Sequence, residues 1–209
     1  MKFYDCITAP SPRRVRIFLA EKGLDIETQQ IDLRSGEQFS DSFREVNPDC
    51  TVPALELEDG TVLTEVFAIC QYIEAIHPEP PIMGRDARER ALVTMWNTKV
   101  EQQGLAAVAE AFRNNSKGFR NRAMTGPSDI EQLPQLVERG TDRVRQFFDR
   151  LDGHLGDHTY VAGDEFSIAD ITAFVTLEFA RGVKVDFGNE RPNLGRWYDQ
   201  IKERPASGH

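Results

Sequence analysis

The spacing of apolar positions changes along the chain, and the change divides it in two. Residues 2–7, KFYDCI, read as a short strand, and Val15, Ile17, Phe18 and Leu19 then fall on a helix ending near Gly23. Ser11 followed by Pro12 supplies a cap and a first-turn proline for that helix. Residues 25–33, DIETQQIDL, alternate as a half-buried strand does, so the opening unit is predicted to be strand, helix, strand with a right-handed parallel pairing. A short helix over residues 40–46 is halted by Asn47 and Pro48. ALELE and TVLTE then flank Asp59 and Gly60, a hairpin signal. From residue 65 to 76, apolar residues at Val66, Ile69, Tyr72, Ile73 and Ile76 return to helical spacing until His77 and Pro78 end it.

Residues 77–84, HPEPPIMG, carry no periodicity and enough proline to act as a semi-rigid connection. Beyond them only helical patterns occur: residues 85–116 with a kink expected near Gly104, then 134–155, 167–181 and 192–203. The predicted organisation is an α/β domain over residues 1–80, a linker over 81–86 and an all-α domain over 87–209. Ser167 and Asp170 stand three apart at a helix start, where they can satisfy each other's orphan amides as a capping box. That role is structural, and it removes them from the candidate chemistry.

Composition narrows the partners. In 209 residues, 34 acidic side chains face 25 basic ones, a net charge of −9 that opposes binding to nucleic acid or an anionic membrane. No stretch approaches the roughly 18 apolar residues of a membrane span, and Asp5 with two early prolines interrupts any signal-like run. A cytoplasmic protein is expected. Cys6, Cys50 and Cys70 suit neither a disulfide framework nor a zinc site, and Cys6 and Cys70 lie in apolar patterns as core residues do. A CxxC pair is absent, which disfavours a disulfide reductase. His154 and His158 have helical spacing but no third ligand in view, so no metal is expected.

The runs APSPRRVRIFLAEKG (residues 9–23), NPDCTVPALELEDGTVLTE (47–65), HPEPPIMG and VAGDEFSIADIT (161–172) lie in one order across both halves. In them the chain resembles the cytosolic glutathione S-transferases. That resemblance implies a thioredoxin-like N-terminal domain of βαβ-α-ββα order, an all-α C-terminal domain, glutathione as co-substrate and a homodimer. It also implies a cis peptide bond between Val52 and Pro53, with the Val52 main chain pairing with the ligand as an added strand would.

By the same resemblance Thr51, Val52, Pro53, Glu65 and Val66 belong to the glutathione site. Glu65 would hold the γ-glutamyl end, while Val66 stands where a serine is usual. Gln38 falls where a polar residue reaches the glycine carboxylate, with Phe39 and Thr51 in place of frequent lysines. The usual activating side chain falls on Ala9, which has none. Ser11 and Thr8 are therefore the candidates to face the sulfur, Ser11 competing with its reading as a plain helix cap, and Tyr4 matching the family's tyrosine only loosely. Arg13 and Arg14 either supply positive potential or form a solvated face. Met95, Phe112 and Phe119 are candidates for an electrophile pocket or else ordinary helix core. The expected activity is transfer of the glutathione thiolate to a small apolar electrophile, or a related reduction or isomerisation. The alternative is a non-catalytic binding or interaction module with the same fold.

Overall fold

The computed structural model describes residues 1–188 and 190–209. The chain forms two compact units: Met1–Pro80 with Thr125–Ser128 and His209, and Pro81–Met124 with Asp129–Gly208.

The first unit holds a four-stranded sheet of order β2-β1-β3-β4, made from β1 (Lys2–Asp5), β2 (Glu27–Gln30), β3 (Ala54–Glu56) and β4 (Val62–Thr64). β1 pairs parallel with β2 and antiparallel with β3, and β3 pairs antiparallel with β4. β1 and β2 are both shorter than the strands expected over residues 2–7 and 25–33, because the chain leaves the sheet at Asp5 and Gln30. Alternation sends Tyr4 and Ala54 to one face, where they pack with Ile31 and with Phe43 of the short helix α2 (Asp41–Val46). Phe3 and Leu55 take the other face and are equally buried.

Helix α1 (Pro10–Glu21) connects the parallel strands, and Gly23 at φ +66° ends it, with Leu24 N–H donating to Leu19 O at 2.9 Å. It packs against α3 (Val66–Ile76), which buries Val66, Ile69, Cys70 and Ile73. Ile76, which the periodicity placed on the apolar face, is 43% exposed at the last turn. The hairpin turn is Leu57–Thr61, with Gly60 at φ +83°.

In the second unit α4 (Ala87–Lys99) runs into a π-helical segment, Val100–Leu105, and then α5 (Ala106–Asn115). The expected kink near Gly104 is this π segment. A Cβ there would meet the Phe147 ring at 2.6 Å, so glycine lets α6 (Gln135–Leu155) press its aromatic side chain onto the irregular turn. At the centre lies α7 (Ile168–Ala180), buried around nearly its whole circumference, and α8 (Pro192–Lys202) completes the set. The capping box at its start forms as expected. Asp170 accepts from Ser167 N–H at 2.9 Å, Val161 N–H at 2.8 Å and Trp197 Nε1–H at 2.9 Å, binding a loop and α8 to α7. Among the described residues no helix is long and apolar enough to cross a membrane.

Candidate functional site

The start of β3 and the start of α3 create an open set of main-chain donors and acceptors. Val52–Pro53 is cis, as the resemblance implied, and it stands just before β3. Among the described residues, nothing pairs with Val52 N–H or C=O. The segment is held from behind by Asn47, a side chain only 1% exposed. Its Nδ2 donates to Thr51 O at 2.8 Å and to Thr51 Oγ1 at 3.0 Å, while its Oδ1 accepts from Asp49 N–H at 3.1 Å. In the sequence Asn47 reads only as a helix stop; a buried amide between a helix end and a cis-proline turn needs coordinates to be recognised.

Glu65 is the N-cap of α3 and sits at φ +68°, ψ 126°. For a residue with a Cβ that conformation costs about 1–3 kcal/mol, and such residues gather where a ligand is held. Its exposed carboxylate caps nothing, so the first three amides of α3, at Val66, Phe67 and Ala68, are left for an anion. The Val66 side chain turns into the core, which explains how an apolar residue is tolerated at a position where a serine would face ligand.

After β1, Ala9 N–H donates to Cys6 O at 2.9 Å, closing a turn that delivers Thr8 and Ala9 to the head of α1. Here the capping reading of Ser11 is corrected. Pro10 takes the first helical position, its ring already near the helical φ, so Ala9 is the N-cap and Ser11 lies inside the first turn. No side chain caps α1. Pro10 and Pro12 have no N–H, and Arg13 N–H donates to Ala9 O at 3.3 Å. Ser11 N–H is thus the free main-chain donor of that turn among the described residues. Arg14, 5% exposed, donates from Nη2 to Ser11 Oγ at 3.4 Å, which occupies an oxygen lone pair and leaves the hydroxyl proton for another acceptor. The solvated-face reading therefore fails for Arg14. Thr8 is exposed, its Oγ1 3.5 Å from Cys6 Sγ.

Tyr4 is turned away from this work. Its hydroxyl donates to Glu56 Oε2 at 2.7 Å, and burial together with that carboxylate pushes its pKa up to about 12. Gln38 is 7% exposed with Oε1 unpaired. Cys6, Cys50 and Cys70 are all buried free thiols.

In the helical unit Phe112 packs edge-on against Phe119 at 5.4 Å and against Phe179 at 5.1 Å, a third ring that the sequence offered no reason to single out. Met95 is 40% exposed on α4. A cavity of about 350 Å³ in the same unit is lined by Leu92, Trp96, His154, His158 and Phe166, and by none of the three residues singled out from sequence. His154 and His158 stack at 4.1 Å, with His154 Nε2–H donating to Val161 O and His158 Nδ1–H donating to His154 O.

With this geometry in view, comparison with known proteins is direct. Residues 8–76 match the family described as glutathione S-transferase, N-terminal domain, and residues 134–200 its C-terminal domain. The chain is 35% identical over 209 residues to glutathione S-transferase 2 of Saccharomyces cerevisiae, covering 99% of this chain and 87% of that one. It is 30% identical over 180 residues to maleylacetoacetate isomerase of Rattus norvegicus, covering 83% and 74%. Among solved structures, a glutathione S-transferase domain-containing protein of Marinobacter aquaeolei VT8 superposes with a TM-score of 0.92 at 33% identity, covering 99% of this chain and 100% of that one. Gtt2 of Saccharomyces cerevisiae superposes at 0.91 and 34%, covering 100% and 99%. Matching family domains in both units, and a relative aligned along almost the whole chain, establish that this protein belongs to the glutathione S-transferase family.

Proposed function

We propose that the protein binds glutathione along the Val52 main chain and transfers its thiolate to a small apolar electrophile. The observation that carries this reading is the unpaired Val52 N–H and C=O beside a cis proline, with three uncapped amides of α3 following. The cysteinyl part of the ligand would pair with Val52 as an added strand, and the γ-glutamyl carboxylate would meet Val66, Phe67 and Ala68 N–H. Glu65 lies beside them to accept from the ligand ammonium. Gln38 and Thr51 stand toward the glycine end.

The nucleophile is the ligand's own sulfur, so the protein must stabilise a thiolate. Lowering a thiol pKa from about 8.5 by ~2 units takes roughly 2.7 kcal/mol. A helix end contributes about 0.3–2 kcal/mol and a hydrogen bond to a charge about 1.5–3. With Ala9 lacking a side-chain donor, Ser11 supplies both through its N–H and its hydroxyl, which Arg14 leaves free to donate. Thr8 is the second hydroxyl within the same turn. Phe112 and Phe119 are the aromatic candidates to contact an apolar electrophile, with Met95 a weaker contributor.

The identity with a maleylacetoacetate isomerase favours a second use of the same thiolate. Added reversibly to an activated double bond, it would permit rotation about the resulting single bond and then leave, regenerating free glutathione. The three buried free cysteines suit a reducing cytoplasm, and a homodimer follows from the family reading.

Calorimetric titration with glutathione, followed by turnover of an electrophile panel by Ser11→Ala and Thr8→Val, tests the reading. Micromolar to millimolar binding is expected, with turnover of Ser11→Ala lowered about 10- to 100-fold, the range lost with one hydrogen bond to a charge. Absence of binding at millimolar glutathione contradicts it.

A further inference from the structure

Behind the turn that carries Thr8 and Ala9 lies a buried ionic network. Asp5 ends β1 and is fully buried. Alternation puts it on the face of Phe3, opposite Tyr4, where Arg16 of α1 reaches it, Nη1 to Oδ1 at 2.5 Å. On the neighbouring strand Gln30 is the register partner of Asp5, and its Nε2 donates to Oδ2 at 2.6 Å. The carboxylate is clamped from both sides.

The same two partners then fix the turn itself. Arg16 Nη2 donates to Ile7 O at 3.0 Å and Nη1 to Cys6 O at 3.4 Å, while Gln30 Oε1 accepts from Ile7 N–H at 2.9 Å. Both polar groups of the Ile7 main chain are therefore held by side chains from α1 and β2. The turn's own bond, from Ala9 N–H to Cys6 O, leaves the Ile7 main chain unpaired, and these two side chains fix it.

This arrangement matters for an anion. Asp5 neutralises Arg16, so the pair adds little net potential at the turn. What it sets is direction. Two carbonyls are drawn back onto a guanidinium, and the donors left over in the segment are the N–H groups of Thr8 and Ser11. Released from Arg16, the Cys6 and Ile7 carbonyls could present lone pairs to a neighbouring thiolate and raise its pKa.

We propose that Asp5, Arg16 and Gln30 are positioning residues of the glutathione transferase reaction, holding the Cys6–Ala9 turn with its carbonyls withdrawn and the N–H groups of Thr8 and Ser11 available to the glutathione sulfur. The inference rests on the placement of sulfur at this turn under the preceding heading. None of the three touches the ligand. They act through the main chain of residues 6–9.

The test compares Gln30→Ala, Arg16→Met and Arg16→Lys with the unaltered protein. Three quantities are read: glutathione affinity by calorimetry, the thiol pKa in the binary complex from thiolate ultraviolet absorbance against pH, and amide hydrogen exchange at Ile7 to Ser11. The expected result for Gln30→Ala and Arg16→Met is affinity within about threefold of the parent and faster exchange in the turn. The thiol pKa should rise by about one unit, with turnover near pH 6.5 down about tenfold and recovering at higher pH. Arg16→Lys should fall between. Should Arg16→Met fail to fold, Gln30→Ala decides alone, because Gln30 is an exposed residue whose loss leaves Asp5 paired with Arg16. Normal binding with an unmoved thiol pKa overturns the proposal, even if exchange quickens. Failure of the unaltered protein to bind glutathione overturns the site assignment, and this proposal with it.

Discussion

Replacing Asn47 with alanine isolates the support behind the cis-proline turn. The side chain is 1% exposed and makes three hydrogen bonds, two from Nδ2 to Thr51 and one from Asp49 N–H to Oδ1. At about 0.5–1.5 kcal/mol each, their loss amounts to roughly 1.5–4.5 kcal/mol, the upper half applying if water cannot reach Thr51 O once the amide is gone. Urea unfolding followed by circular dichroism gives the stability change, and calorimetry gives glutathione affinity. We expect about 2–3 kcal/mol of destabilisation and a fall in affinity of about tenfold, because the unpaired Val52 groups are useful only while Thr51 and Pro53 are fixed. Asn47→Asp separates the two bonding directions. It keeps the acceptor for Asp49 N–H but sets a carboxylate against Thr51 O, so it should be no better than alanine. A stability change under about 0.5 kcal/mol with unchanged affinity refutes the argument that this amide holds the turn.

Other outcomes follow from the same geometry. Gly104→Ala gains helix propensity of about 1 kcal/mol but drives a Cβ to 2.6 Å from the Phe147 ring, so thermal melting should show a net loss of about 1–2 kcal/mol. Asp170→Ala leaves Val161 N–H, Ser167 N–H and Trp197 Nε1–H without their shared acceptor, and denaturant unfolding should register about 3–5 kcal/mol lost. Burial, the neighbouring His158 and Lys99 hold the His154 pKa below its ordinary 6.5, against the pull of Val161 O and Asp157. The unfolded chain therefore binds the proton more readily, and this group's contribution is complete above pH 6.5 and lost as pH falls below it. His154→Gln should flatten the fall in stability between pH 7 and 5, measured by denaturant midpoint.

How much of this was legible in the sequence depends on the kind of signal. The parallel βαβ order, the Asp59–Gly60 hairpin and the Ser167–Asp170 capping box come from local patterns, which act over a few residues and survive folding unchanged. Strand ends did not follow: alternation continues through Cys6 and Ile7, but the chain turns at Asp5 because Arg16 and Gln30 pull the next carbonyls and amide out of register. Ser11–Pro12 reads as a cap, yet Pro10 also satisfies the first helical position, and only the Cys6–Ala9 turn decides between the two starts. The residues of the proposed glutathione site were visible in the sequence at Val52, Pro53 and Glu65. Asn47, Asp5, Arg16 and Gln30 were not, since each acts on main-chain atoms brought near by the sheet and helix, and no spacing of residue types encodes such a contact.

A crystal structure of the complex with reduced glutathione bears most directly on the central claim. The account predicts the cysteinyl N–H and C=O of the ligand paired with Val52 O and N–H, the γ-glutamyl carboxylate on the amides of Val66 to Ala68, and the sulfur within hydrogen-bonding distance of Ser11. Glutathione held elsewhere with the Val52 groups still unpaired, or a sulfur remote from the Cys6–Ala9 turn and the head of α1, would contradict it.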